Sequence, residues 1–151
     1  MLDDRHWMDM ALAEAQAALA KGEIPIGCVI VKDGRVIGRG HNLREAQQSP
    51  ILHAEVVAIA DAAQHTGAWR LAGTTLYVTV EPCPMCAGAI VLARIPRVVF
   101  GVMDPKGGAG GTCFNILESP WTNHRVSVTS GIREDEARAL IKGFFAERRH
   151  L

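Results

Sequence analysis

The sequence lacks what would place a chain in a membrane or send it out of the cell. No apolar run reaches the roughly 20 residues needed to span a bilayer. Residues 1–6 hold two aspartates and no apolar core of the signal-peptide kind, so a cytoplasmic location is expected. Excess charge is missing too: Lys plus Arg and Asp plus Glu number 16 each, for a formal net charge of zero. That argues against a strong non-specific nucleic-acid binder and leaves open recognition of one RNA loop through a local basic patch. Cysteines number only four, and a reducing compartment favours metal binding over disulfides for them. There is no internal repeat, low-complexity tract or linker. The glycine-rich run at 104–112 lacks the Lys-Ser/Thr ending of a phosphate-binding P-loop, and a flexible loop near the site is expected there.

What is present suits one soluble globular domain, with 48% hydrophobic and 21% charged residues. The length of 151 residues fits one domain with a real core and not two, so residues 1–151 are read as one. Asp3 and Asp4 are candidate N-caps of a first helix. In it Trp7, Met8, Ala11, Leu12, Ala15, Ala18 and Leu19 recur at helical spacing, and Lys21-Gly22 marks its end. This helix is expected to cover one face of a sheet. Residues 28–31 are a short apolar run suited to a buried strand. Asp33-Gly34 signals a hairpin, because a type I′ turn needs positive φ at both positions, and residues 35–40 should return antiparallel.

Residues 41–51 are polar and read as a loop leading to His53. Val56, Val57, Ile59, Ala60 and Ala63 then suggest a helix. Residues 75–80 are a strand by composition. Pro82 and Pro84 bracket Cys83 and favour a helix start, continued by residues 85–93. Residues 97–102 form a strand that the strand–helix–strand order makes parallel to the previous one. Residues 125–129 suggest a last short strand. A C-terminal helix begins at about Glu134, with Ala137, Leu140, Ile141, Phe144 and Phe145 as its apolar stripe and Arg148, Arg149 and His150 after it. The fold class is α/β, a mixed sheet of about five strands sandwiched by helices.

The chemistry concentrates in His53-Ala54-Glu55 and Pro82-Cys83-Pro84-Met85-Cys86. An imidazole and two thiolates fill three of the four tetrahedral positions that zinc prefers, and a catalytic site keeps the fourth for water. The metal lowers the pKa of that water from about 16 toward 7, and Glu55 becomes a proton carrier rather than a ligand. Residues two apart do not share a helix face, so His53 and Glu55 converge only if His53 lies at or just before the first turn. The helix N-terminus there is expected to help keep Glu55 ionised. Cys83 and Cys86, three apart, put both sulfurs on one side of a first turn, where backbone N–H groups stabilise thiolates. The Cys-x-x-Cys pair alone is also compatible with a redox pair. It is compatible too with half of a structural zinc site completed by Cys28 and Cys113. A redox pair leaves the upstream His-x-Glu unexplained, and Cys28 lies in an apolar run like an ordinary core cysteine.

His-x-Glu followed by Pro-Cys-x-x-Cys is the signature of the zinc-dependent nucleobase deaminases. The likeness covers nearly the whole chain. Ile24-Pro25-Ile26-Gly27, Asn42, Thr75-Leu76-Tyr77-Val78-Thr79, Glu81-Pro82-Cys83, Met85-Cys86-Ala87-Gly88-Ala89, Arg97-Val98-Val99-Phe100-Gly101, Asn123-His124-Arg125-Val126 and Gly143-Phe144-Phe145 to Arg149 resemble the bacterial tRNA-specific adenosine deaminases. The resemblance implies the cytidine-deaminase fold, a three-layer α/β/α sandwich. It implies a homodimer with one Zn2+ per subunit, and a reaction converting adenosine to inosine at the wobble position of an arginine tRNA anticodon stem-loop. Carried over by position, Asn42 hydrogen-bonds the flipped adenine, Ile26 walls the base pocket and Asp104 contacts the neighbouring nucleotide. Lys106, Asn123, Phe145 and Arg149 contact RNA, and the backbone N–H of Ala54, or of Cys83, holds the oxygen of the tetrahedral intermediate. His41, His65 and His124 lack ligand spacing and read as surface or structural. Two rivals stay open: a deaminase of free guanine or cytosine nucleosides, and a non-catalytic zinc-binding module.

Overall fold

The computed structural model describes residues 2–148, in which helices and strands run α1 (Asp4–Ala20), β1 (Gly27–Lys32), β2 (Arg35–His41), α2 (Ala54–Thr66), β3 (Thr75–Val80), α3 (Pro84–Leu92), β4 (Arg97–Val102), β5 (Ser127–Thr129) and α4 (Glu134–Arg148). The strands make one mixed sheet in the order β2-β1-β3-β4-β5. β1 is antiparallel to both β2 and β3, whereas β3, β4 and β5 are parallel. The β1–β2 hairpin turns at Asp33 and Gly34, with φ of 50° and 72°, as a type I′ turn requires.

Period-two alternation along the strands assigns the two faces. Cys28 and Ile30 of β1, Leu76 and Val78 of β3, and Val98 and Phe100 of β4 pack with Ala54, Ala58 and Ala62 of α2 and Ala87, Ile90 and Val91 of α3. Val29, Val31, Tyr77 and Val99 point the other way, onto Trp7, Met8 and Ala11 of α1. α4 joins α1 on that side, where Ala137 lies under Gly101. The result is a three-layer α/β/α sandwich. Each fully buried Val, Leu or Ile in it contributes about 2 kcal/mol of hydrophobic stabilisation.

Two glycines decide how closely α2 approaches. A Cβ on Gly40 would stand 2.7 Å from the Ala54 carbonyl oxygen, and one on Gly38 would stand 2.6 Å from the Ala58 carbonyl oxygen. With alanine at every fourth position of the facing helix, backbone packs on backbone, and the N-terminus of α2 is fixed over the end of β2.

A second tie holds α1 to the sheet. Asp3 caps the helix by accepting from the Arg5 and His6 N–H groups. Asp4 instead accepts from Arg97 at 2.9 and 2.7 Å and from the Tyr77 hydroxyl at 2.8 Å. The expected elements differ at their ends: β2 reaches His41, α3 starts at Pro84, and β5 is only three residues long. In α4 the apolar stripe is only partly covered: Ala137 is buried, Leu140, Ile141 and Phe144 are half-buried, and Phe145 is 44% exposed.

Candidate active site

One end of the sheet gathers the functional side chains. β1 begins there at Gly27, β2 ends there at His41, and β3 and β4 run out there into residues 81–83 and 103–104. Parallel strands β3 and β4 deliver their carboxyl ends to the same rim, and α2 and α3 both start on it. His53 is the N-cap of α2, with φ −73° and ψ 159°, and Cys83 is the N-cap of α3, with φ −75° and ψ 172°. Pro84 at the first helical position gives α3 its preset φ. The extended backbone at each cap turns the cap side chain inward while the next turn of helix carries Glu55 and Cys86.

His53 Nδ1 lies 3.6 Å from Cys83 Sγ and 3.5 Å from Cys86 Sγ. A shared tetrahedral ion bonded at about 2.3 Å to sulfur and about 2.0 Å to nitrogen puts those atoms about 3.5 Å apart, so the donor set fits a metal ion such as zinc. Among the described residues this is the group of His, Cys, Asp and Glu side chains close enough to hold one. Cys28 is buried in the core and Cys113 is exposed, bonded to the Pro105 carbonyl at 3.2 Å. The structural-site alternative built on those two cysteines is therefore not what the fold assembles.

The electrostatics of the three donors are mutual. The Cys83 thiol is drawn down to about 4, chiefly by a hydrogen bond from Cys86 and then by His53. The same bond and burial push Cys86 up, and His53 is raised by its bond to Cys83. One negative charge thus sits between the two sulfurs. Glu55 departs from expectation. It is 4% exposed, and burial raises its carboxyl to about 7 in spite of the helix N-terminus and His53 beside it. Desolvation outweighs the dipole here because the carboxyl is almost wholly out of water.

Glu55 opens into a cavity of about 200 Å³ that also takes in Ile26, Asn42, His53, Ala54, Cys83 and Asp104. Seven of the residues picked from the sequence therefore meet in one place. Asn42 is 3% exposed, its N–H donates to the Ile26 carbonyl, and its Oδ1 accepts from the Arg44 N–H at 2.9 Å. A second, larger cleft of about 680 Å³ shares Ile26 and Asp104 with the first and adds Lys106 and Phe145. Asn123 is exposed on the 119–124 turn and lines neither cleft. Arg149 lies outside the described residues. His41 bonds Glu14 at 3.0 Å, His124 donates to the Ile95 carbonyl at 2.6 Å, and neither they nor His65 belongs to the group that could hold a metal.

Two buried glutamates were not legible as site residues. Glu23, 1% exposed, accepts from the Glu45 and Ala46 N–H groups at 3.0 and 2.7 Å and fixes the loop that carries Asn42 and Arg44. Glu81, 3% exposed, ties down the glycine-rich run at 104–112, which is therefore pinned rather than loose. A carboxylate closing an apolar strand two residues before a ligand cysteine was the available signal for Glu81. Nothing local marks Glu23.

A family model described as MafB19-like deaminase matches residues 2–149. The tRNA-specific adenosine deaminase of Bacillus subtilis (strain 168) is 51% identical over 149 residues, covering 99% of this chain and 92% of that protein. A solved structure from a study of A-to-I editing by tRNA:A34 deaminases at the wobble position of transfer RNA superposes with a TM-score of 0.86 at 44% identity, covering 89% of this chain and 98% of that one. A guanine deaminase from Nitrosomonas europaea shares the fold, with a TM-score of 0.85 at 21% identity over 97% of this chain and 86% of that one.

Proposed function

The chain belongs to the MafB19-like deaminases and, within them, to the tRNA-specific adenosine deaminases, and from that footing we propose that it converts adenosine to inosine at the wobble position of an arginine tRNA, with Glu55 as its proton carrier. The observation that carries this reading is the meeting of His53, Cys83 and Cys86 at 3.5 to 3.6 Å beside one buried carboxyl that no ligand role requires.

His53, Cys83 and Cys86 are the residues to hold one Zn2+ per subunit. When bound, zinc supplies a water acidic enough to be a hydroxide nucleophile near neutral pH. The rest is done by the chain. Glu55 would accept a proton from the attacking water and give it to the adenine ring nitrogen, then take the proton of the new C6 hydroxyl and give it to the amine, so that C6 keeps the oxygen as a carbonyl and ammonia leaves. A carboxyl raised to about 7 is suited to both accepting and returning a proton at neutral pH. The Asn42 amide is assigned to bond the extruded base and Ile26 to pack on its face, a reading supported by their lining the same cavity as Glu55. Ala54 opens α2, and its N–H has no partner within the helix, so it is available to the oxygen that develops charge at C6. Extruding the base costs a few kcal/mol, least in an unpaired loop, which favours an anticodon. Asp104, which lines both the base cavity and the larger cleft, is assigned to RNA contact together with Lys106, Phe145, Asn123 and Arg149.

We read residues 1–151 as one deaminase domain working as a homodimer in the cytoplasm. Leu92 and Trp121, 70% and 92% exposed, are apolar surface of the kind a second copy covers. Among the described residues no helix is long and apolar enough to cross a membrane. The test is incubation of the zinc-loaded protein with an arginine anticodon stem-loop, beside a matched transcript with guanosine at the wobble base. Inosine is expected at the wobble base of the first alone. Turnover of free guanine or cytidine with no inosine in the stem-loop would refute the substrate.

A further inference from the structure

Glu81 borders the base cavity, yet both of its oxygens are turned away into the loop that follows β4. Oε1 accepts from the Asp104 N–H at 3.0 Å and from the Thr112 hydroxyl at 2.5 Å, and Oε2 accepts from the Gly110 and Thr112 N–H groups at 2.9 and 3.1 Å. All four partners are donors, which suits an acceptor-only carboxylate, and hydrogen bonds to an ionised acceptor are the stronger kind. The packing is as specific as the bonding, because a Cβ on Gly108 would collide with this carboxylate. Next to it, the Ala109 N–H donates to the Pro82 carbonyl at 2.8 Å. The segment from 104 to 112 is thus fastened directly to the stretch that leads into Cys83.

The fastened loop forms a wall of both clefts. Asp104 faces the base cavity and the larger cleft alike, and Lys106 and Thr112 line the larger one. The Asp104 carboxylate accepts from the Lys106 N–H at 3.0 Å, so the two residues are set as a unit. The hydrogen bonds of the Glu81 carboxylate go to this loop, and among the described residues none goes to His53, Glu55, Cys83 or Cys86. Resting on the reading of these clefts as the RNA site, we propose that Glu81 is a positioning residue that sets where Asp104 meets the nucleotide beside the target base, and so controls RNA affinity rather than the chemical step.

The test is a double-mutant cycle on the zinc-loaded enzyme with the arginine stem-loop. Glu81→Gln sets an amide N–H2 against donors, and the loss of a charge-assisted contact is expected to raise KM for the stem-loop about tenfold. The change in kcat should be less than about twofold, the pattern of lost uniform binding, with zinc content as in wild type. Asp104→Ala should raise KM likewise, and the double variant should be no worse than Asp104→Ala alone, because the two act through one contact. Glu81→Asp keeps the charge and should recover part of the loss. If Glu81→Gln does not fold, Thr112→Val removes the hydroxyl alone and should raise KM a few-fold by the same route. Additive effects of Glu81→Gln and Asp104→Ala, a wild-type KM in the active Gln or Val variant, or a loss confined to kcat would overturn the proposal. A wild-type enzyme that makes no inosine would instead refute the substrate reading on which it stands.

Discussion

Glu55 carries a carboxyl that burial holds near neutral, and this makes its effect on stability run opposite to that of a salt-bridged acid. Below its ordinary value of 4.5 the carboxyl is protonated whether the chain is folded or not. As pH rises toward about 7 the unfolded chain ionises first, and the stability that protonation lent the fold is lost. In chelated protein, wild type should therefore lose about 2–3 kcal/mol relative to Glu55→Gln between pH 5 and pH 8. Urea unfolding at the two values reads the difference, and parallel curves would show that Glu55 is not desolvated in this way. Cys86 supports a different prediction. It is fully buried and its sulfur faces His53, so Cys86→Ala should lose zinc and lower Tm together, because metal binding is coupled to folding. Full zinc occupancy in that variant would remove Cys86 from the ligand set. The grouping of His53, Cys83 and Cys86 was legible because their spacing and the flanking prolines put them at helix starts. The protonation of Glu55 was not, because it depends on burial contributed by Ile26, Asn42 and Val80 from three other segments.

Elements β3 and β4 begin and end where composition put them, and α2 starts at the one position that lets a His and a Glu two residues apart share a site. The Asp33-Gly34 turn sets the β1–β2 hairpin from four residues of sequence. The alanine stripe of α2 has a less visible partner: reading residues 35–40 as a strand gives Gly38 and Gly40 no role of their own, and the helix lying on them supplies one. Gly40→Ala forces a methyl against the Ala54 carbonyl and Ala58 N–H, each at 2.7 Å. It should cost about 1–3 kcal/mol by overpacking, and because Ala54 lies between His53 and Glu55 it should reduce activity more than a mutation of equal cost in α1. Equal activity per folded molecule would show that the N-terminus of α2 does not depend on this contact. The glycine-rich run illustrates the opposite case. Its composition suggests looseness, but its N–H groups converge on Glu81, a long-range pairing that composition does not encode.

For the molecule as a whole, zero net charge requires that the proposed RNA substrate be gripped locally. Arg44, Lys106 and Lys142 line the clefts, whereas Arg138 there is already paired with Glu134 and Asp135. Three cations without an ion-pair partner among the described residues predict a slope of about −2 for the logarithm of stem-loop affinity against the logarithm of salt concentration, measurable by fluorescence anisotropy. A slope steeper than about −5 would mean that a far wider surface engages the RNA. The three layers serve this arrangement: the sheet brings the ends of four strands to one rim, and the two helices that start there carry the residues proposed as metal donors and as proton carrier. The most direct check is to load Glu55→Gln with zinc and measure its metal content and its inosine yield on the arginine stem-loop in the same preparation. One zinc per subunit with inosine formation down by about 100-fold to 10,000-fold is the predicted result. Wild-type inosine formation by that zinc-loaded variant would contradict it.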